Sequence, residues 1–372
     1  MRDRFWWGAL ALISCGTPEP DRALTGEWIE HRPDVAQHFT VLLSGAQRRL
    51  LVFADPQRGD TICDLVVGGK IREGGRFAVL STTYLPYITA LGRTGQVSGA
   101  AHLDKVRDTA AMRLRDLGRI TDLRTADGVD REAIMAIAPD LVLGYPFGRE
   151  DGVGTIAGVP YVMVAEYLEA HPLGRAEWLK FFGALLGKER EADSLYAGIA
   201  ERYAVAKALP GGADRPKVLF GSQWNGQWWV PPTNSYMAQL ITDAGGDYVF
   251  ADMQGKENIA VDMETILARA SDADAWGMIA ELPRHPRVAD FTGGDERLLV
   301  LKAVHENKLF LGNTSRSDLF GQAIIEPDIV LAELREIMQP FPGITDPSGR
   351  RPKYFEWLSG HIPPPPEQEQ GQ

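Results

Sequence analysis

Between residues 38 and 82 the chain repeats short apolar runs: "HFTVLL", "RRLLVFADP", "TICDLVV" and "RFAVLST" are separated by Gly, Pro, Asp and Arg. This pattern predicts strands. At "FAVLSTTYLPYITALG" an apolar strand gives way to a helix opening at Ser81, Thr82 and Thr83, residue types that cap helices. "REAIMAIA" then predicts a helix, "PDLVLGYPF" a strand leaving into a Gly/Pro/aromatic loop, and "VPYVMVAEY" a further apolar strand. Continuously apolar strands alternating with helices predict a largely parallel sheet covered on both faces.

From Pro172 to Leu209 the texture changes. Trp178, Phe181, Phe182, Leu185 and Leu186, then Leu195, Ile199 and Tyr203, recur at helical spacing with no proline after the start. The stretch predicts one long helix, or two collinear ones, with Gly183 and Gly187 marking a bend or close packing. The strand–helix alternation restarts after "GGADRP" with strand "KVLFG", aromatic loop "SQWNGQWWVPPTNS" and helix "SYMAQLITDAG". Helix "METILARAS", strands "AWGMIAE" and "KLFLGNT" and helix "DIVLAELREIM" follow. The expected fold class is α/β: two Rossmann-like lobes with mainly parallel sheets, joined by a single long α-helix, plus an N-terminal β extension. The expected boundaries are 34–171 for the first lobe (extension 34–75), 172–209 for the linking helix, 214–342 for the second lobe and 343–372 for a tail. The polyproline end of that tail, "IPPPPEQEQGQ", is expected to be disordered.

One internal repetition needs an explanation beyond fold. "VDREAIMAIAPD" (129–140) and "VDMETILARASD" (261–272) share Val, Asp, Glu, Ile, two Ala and the final Asp without a gap. Asp130 and Asp262 are expected N-caps, which puts Glu132 and Glu264 in the first turns of their helices. A glutamate there is favoured locally by the helix dipole. The recurrence of the same phase in both lobes is less well explained by that local effect.

Charge and composition narrow the function. The formal charge of −11 argues against a nucleic-acid partner, which needs a basic surface. With 372 residues, 44% hydrophobic and 24% charged, the chain reads as two folded domains. The first residues, "MRDRFWWGALALISCGTPEP", set two arginines before an apolar run far shorter than the roughly 20 residues of a spanning helix. They read as an export signal over 1–15, with Cys15 in a lipobox-like setting as the lipidation site and 16–33 as a tether. The alternative is an incidental cysteine after a weak apolar segment. Lipid chains on Cys15 would hold the protein at a membrane surface, in a periplasm or cell envelope. The other cysteine, Cys63, reads as a small buried hydrophobe.

The pattern E-x-I-x-x-I-x-P-D-L-V from Glu132 to Val142 resembles the substrate-binding proteins of ABC importers for cobalamin, haem and ferric siderophores. "GRAEWLKFFGALLGKEREADSLY" resembles that family's backbone helix, "NSYMAQLITDAGGDYVF" the opening of its second lobe, and "EPDIVLAELREIMQP" its terminal helix. The likeness runs from about residue 75 to 342, and the segment from 21 to 75 departs from it. The resemblance implies that Glu132 and Glu264 sit on lobe tips and engage arginines of a permease coupled to an ATPase. It implies a monomeric carrier with no resident cofactor, whose cargo is a metal chelate: a ferric siderophore first, haem or cobalamin next.

Ligand-facing groups in such a fold lie on loops at the carboxyl ends of strands. Here these are Ser81–Tyr84, Ser98–His102, Gly144–Arg149, Ser222–Trp229 and Gly312–Arg316. From them come the candidates Thr83, Tyr84, His102, Tyr145, Phe147, Trp224, Trp228, Trp229 and Arg316, with Tyr236 beside them. Flat rings with a few amide donors suit a large aryl-bearing ligand, and alternation turns about half of such a cluster inward. Arg316 and Arg149 suit carboxylate or catecholate oxygens equally with a surface role. The seven histidines show no ligand spacing, so a bare metal ion is not the expected cargo. No G-x-S-x-G, Walker or H-E-x-x-H motif supports an enzyme. Glu166, Glu169 and His171 cluster at the lobe junction and read as structural or hinge groups. The remaining alternatives are an exported α/β enzyme and a protein-binding lipoprotein scaffold on the same frame.

Overall fold

The computed structural model describes residues 27–125, 128–145, 159–209, 215–338 and 352–358. Strands β1 (Ile29–His31), β2 (Phe39–Ser44), β3 (Gln47–Asp55) and β4 (Asp60–Val67) form an antiparallel sheet in that order. Leu50, Val52 and Val67 are fully buried on its inner face, and Cys63 is a buried free thiol whose pKa burial pushes up. The sheet begins inside the segment expected to be a tether, because β1 pairs with β2.

The first lobe follows: α1 (Gly69–Gly74), β5 (Phe77–Val79), α2 (Leu85–Ala90), β6 (Val97–Ala100), α3 (Thr109–Asp116) and β7 (Thr121–Asp122). After a two-stranded ribbon, β8 (Arg124–Thr125) with β9 (Gly128–Val129), come α4 (Arg131–Ile137), β10 (Leu141–Gly144) and β11 (Tyr161–Met163). The five-stranded order is β11-β10-β5-β6-β7, parallel throughout. Phe77, Val79, Leu141 and Leu143 are fully buried, which is why these strands read as unbroken apolar runs.

The single connecting helix is corrected by the structure. Residues 172–208 form two helices, α5 (Pro172–Leu186, 15 residues) and α6 (Glu189–Ala208, 20 residues). Gly187, at φ +67°, caps α5 in the left-handed region, where glycine carries no steric penalty. The chain then folds back on itself. The His171 ring lies 6.0 Å from that of Tyr203, and the Lys180 ammonium lies 4.6 Å from the Tyr196 ring. Gly183 makes this possible: a Cβ there would sit 2.5 Å from Cβ of Ala192. The strut leading into the second lobe is therefore α6 alone, about 30 Å at 1.5 Å per residue.

The second lobe comprises β12 (Lys217–Phe220), β13 (Ser222–Trp224), β14 (Gln227–Val230), α7 (Tyr236–Asp243), β15 (Asp247–Tyr248) and β16 (Ile259–Val261). It continues with α8 (Met263–Ala270), β17 (Ala275–Ala280), α9 (Val288–Thr292), α10 (Lys302–His305), β18 (Leu309–Asn313), α11 (Pro327–Met338) and β19 (Phe355–Trp357). Its main sheet runs β15-β12-β17-β18-β19, with β19 alone antiparallel. β19 lies within the expected tail, so part of that tail completes the second sheet.

The aromatic stretch expected to be a loop is a β-hairpin. Asn225 (φ +50°) and Gly226 (φ +76°) form its two-residue turn, the left-handed pair that matches strand twist. β14 then pairs with β16, placing Trp228 opposite Val261 and Trp229 opposite Ala260. Two large cores result, one per lobe. Leu173 of α5 packs against both, and Ile324 and Ile325, from the second-lobe chain, belong to the first-lobe core.

Candidate functional site

The repeated dodecapeptides occupy equivalent places. In the first sheet the order changes direction at β5, flanked by β6 and β10. In the second it changes at β12, flanked by β15 and β17. The helix before β10 is α4, and the helix before β17 is α8. Each is capped alike: Asp130 accepts from the Ala133 N–H at 2.8 Å, and Asp262 from the Thr265 N–H at 2.7 Å. Glu132 and Glu264 therefore stand in matching first turns, both exposed. Fully buried Ile134 and Ile266 anchor the two short helices beneath them.

The carboxyl ends of the two sheets meet across a seam, where a topological switch point places ligands. Lys105, after β6, reaches Glu281, after β17, at 3.1 Å. At the base of the seam lies a cavity of about 150 Å³, lined by Thr83, Glu166 and Arg175 on one side and by Tyr236, Leu319 and Phe320 on the other. Glu166 is 3% exposed, and its Oε1 accepts from the Thr83 hydroxyl at 2.7 Å. Its Oε2 is buried with no hydrogen-bond partner. Burial pushes its carboxyl up to about 7, against the opposing Thr83 hydrogen bond, the Arg175 charge and the backbone N–H groups of Glu166 and Tyr167. Arg175 donates to the carbonyls of Tyr167 (2.7 Å) and Glu169 (3.2 Å), and its guanidinium lies 3.8 Å from the Tyr236 ring centre. A wider groove of about 940 Å³ runs along the flank of α3, its lining including Arg107, Arg113, Arg119 and Lys353 with Asp108 and Asp318.

Of the ligand candidates named from the sequence, the cavity brings together Thr83 and Tyr236, and it adds Glu166, which the sequence assigned to the lobe junction. Two candidates are corrected. Tyr84 is fully buried, with its hydroxyl toward the Val164 carbonyl at 3.4 Å, because the capped turn at Ser81 points it into the first core. Trp228 is 1% exposed and packs 5.4 Å from Trp276, because the strand alternation of β14 sends it inward. Its neighbour Trp229 faces the other way, half-buried, with a buried indole N–H that has no partner. Trp224, at the hairpin end, is 67% exposed. None of these indoles lines the seam cavity. Tyr145 is half-buried at the end of β10. His102 is exposed at φ +58° beyond β6, and Arg316 pairs with Glu356 at 3.2 Å on the second lobe. Phe147, Arg149 and Cys15 lie outside the described residues.

The cluster at the lobe junction has an architectural explanation that reaches further than its sequence signal. Glu177, fully buried on α5, accepts from the backbone N–H groups of Asp34, Val35 and Ala36 at 2.7, 2.7 and 2.8 Å. Glu169 accepts from those of Gln37 and His38 and from the Trp178 indole at 3.1 Å. Two carboxylates thus clamp five consecutive amides onto the first lobe. Burial raises the Glu169 carboxyl, partly offset by these hydrogen bonds. His171 caps α5, its Nδ1 accepting from the Leu173 N–H at 3.1 Å, and burial lowers its pKa. Glu177 was missed because its partners lie some 140 positions away. Glu166 was singled out, but nothing local revealed its unmet oxygen.

Among the described residues, no group of three or more His, Cys, Asp or Glu could hold a metal ion, and no helix is long and apolar enough to cross a membrane.

Comparison with known proteins gives a consistent answer. The chain is 29% identical over 279 residues, 71% of its length, to an uncharacterized lipoprotein of Methanocaldococcus jannaschii, spanning 65% of that protein. Its spans of two other curated relatives are shorter, 49% and 56% of their lengths. It shares its fold with a periplasmic heme binding protein from Pseudomonas aeruginosa, at a TM-score of 0.56 and 17% identity, covering 78% of this chain and 99% of that one. An ABC-type Fe3+-hydroxamate transport system protein from Saccharomonospora viridis matches at 0.54 and 18%, covering 73% and 96%. Residues 78–314, spanning both sheets, match the model of a family of binding proteins rather than enzymes: the chain belongs to the periplasmic binding protein family.

Proposed function

We propose that this chain is the substrate-binding lipoprotein of an ABC importer: anchored through Cys15, it takes a metal chelate into the seam between its lobes and delivers it to the permease. A ferric siderophore is the favoured cargo, haem or cobalamin next. The observation that carries the reading is the repeated acidic first turn. The same cap and the same exposed glutamate precede the strand beside the switch point in both lobes. The helix dipole accounts for each glutamate separately, whereas one partner that grips both lobes accounts for the pair. The lipoprotein name of the archaeal relative and the iron-compound names of the structural relatives support the anchor and the cargo class. Tyr145, Trp229 and Tyr236 offer rings, and His102 and Arg316 polar groups, toward such a cargo.

No bond is made or broken in this function. The stiff strut of α6 limits the lobes to small rotations, so cargo uptake tunes the separation of Glu132 and Glu264 rather than creating it. Exposed charges of this kind supply orientation and salt-dependent association more than affinity. Replacing both glutamates (Glu132→Ala with Glu264→Ala) leaves cargo affinity within about twofold and abolishes stimulation of the transporter ATPase. Equal loss of cargo binding would contradict this division of labour.

A further inference from the structure

We infer that the cavity at the base of the seam is a subsite for a hydrogen-bond-donating arm of the cargo, read by the unpartnered carboxylate oxygen of Glu166. The inference rests on the chelate-binding reading and names the chemistry that the cargo presents beside its metal. Glu166 is 3% exposed and its side chain lines the cavity. One oxygen is held by the Thr83 hydroxyl at 2.7 Å, the backbone N–H groups of Glu166 and Tyr167 also favour the charged carboxylate, and the second oxygen is buried without a hydrogen-bond partner. A buried acceptor left unmet is costly, and folds retain one where something else completes it.

The cation in the cavity wall does not complete it. Arg175 is committed to two backbone carbonyls and to the Tyr236 ring, and it makes no ion pair with Glu166 among the described residues. The other titratable groups close by are the phenols of Tyr84, Tyr87 and Tyr167, all pushed upward by burial and by the Glu166 charge. The second lobe contributes Tyr236 and apolar side chains to the lining, and no carboxylate. The cavity therefore offers one acceptor against a balanced pair of charges. Its volume of about 150 Å³ takes a group of a few heavy atoms rather than a whole chelate, which makes the occupant an arm. Phe320, in the lining and 54% exposed, connects the cavity to the surface. A hydroxyl, an amide N–H and an ammonium share the required chemistry.

The sign of the pH dependence follows. A donor prefers ionised Glu166, and protons compete for it below about 7, so affinity for a donor-bearing arm falls as pH drops from 8 to 6. The test uses two ferric trihydroxamates that differ only in a terminal ammonium or methyl group, with tryptophan fluorescence as the readout. Methylammonium alone, read by thermal shift, probes the subsite without a chelate. At pH 8 the wild type is expected to prefer the ammonium form at least tenfold. In Glu166→Gln that preference falls below about threefold and loses its pH dependence. Thr83→Val, which removes the hydrogen bond that lowers the Glu166 pKa, moves the midpoint of the profile upward. Equal binding of both chelates by the wild type, or a preference that survives in Glu166→Gln, overturns the subsite and leaves the cargo reading intact. Stabilisation by methylammonium in the wild type but not in Glu166→Gln, with neither chelate bound, upholds the subsite and removes the siderophore reading. No response to any of the three probes overturns both.

Discussion

Replacing Glu177 by glutamine tests whether two carboxylates hold the segment at residues 34–38 on the first lobe. Glu177 is fully buried and takes three backbone N–H groups at 2.7–2.8 Å, with Lys180 on Oε1 at 2.7 Å. The amide keeps one oxygen and turns an NH2 group toward at least one of those donors. One charge-assisted bond is lost, at about 1.5–3 kcal/mol, and the others weaken toward neutral bonds worth roughly 1 kcal/mol. The sum is about 3–5 kcal/mol, concentrated where residues 34–36 meet α5. Global unfolding of a two-lobed protein need not be two-state, so the local readout is the sharper one. Amide hydrogen exchange at Asp34, Val35 and Ala36 should accelerate by roughly two to three and a half orders of magnitude, at about 1.4 kcal/mol per tenfold, while β10 and β17 keep their protection. Acceleration below about fivefold at all three amides would refute the clamp. The outcome bears on function because this segment joins the proposed anchor to the lobe.

Three further outcomes follow from the geometry. Burial raises the Glu166 carboxyl from its ordinary 4.5 to about 7 in the folded protein, so its contribution to stability is complete below pH 4.5 and is lost as pH rises through 7. The loss amounts to about 3 kcal/mol, so Glu166→Gln should flatten the urea midpoint between pH 5 and 8; an unchanged slope would count against the burial of that charge. Gly183→Val forces α5 and α6 apart, since a Cβ there lies 2.5 Å from Ala192, and should cost about 1–3 kcal/mol, whereas Gly95→Ala meets nothing within 4 Å and should be near neutral. Trp228→Ala should cost roughly 3–5 kcal/mol as a core cavity, while Trp224→Ala at the exposed hairpin end stays within about 0.5 kcal/mol; similar losses from both would mean the hairpin faces are misassigned.

What was legible in the chain was local. Two mainly parallel sheets announced themselves because strands such as Leu141–Gly144 and Leu309–Asn313 are buried on both sides and read as unbroken apolar runs. The caps at Asp130 and Asp262 were legible because an N-cap contacts an amide only three residues on. Asn225-Gly226 was a hairpin signal of the same kind, outweighed by the polar residues around it. Helical spacing across 172–209 hid the reversal, since a φ of +67° at Gly187 changes direction without disturbing the apolar period. The facing of Tyr84 and Trp228 depended on strand and turn phase, which composition does not carry. Least legible were the contacts that define the junction: Glu177 to Asp34, Glu169 to His38, and the unmet oxygen of Glu166 exist only once distant segments meet.

The most direct test is a native mass spectrum of the full-length protein purified from its native cells, with metal analysis of the same sample. A carrier that clasps a chelate between its lobes should co-purify as a one-to-one complex whose added mass is an organic compound of iron or cobalt, released intact on denaturation. A bare divalent ion as the stoichiometric guest, or a ligand-free protein that turns over an added substrate, would contradict it.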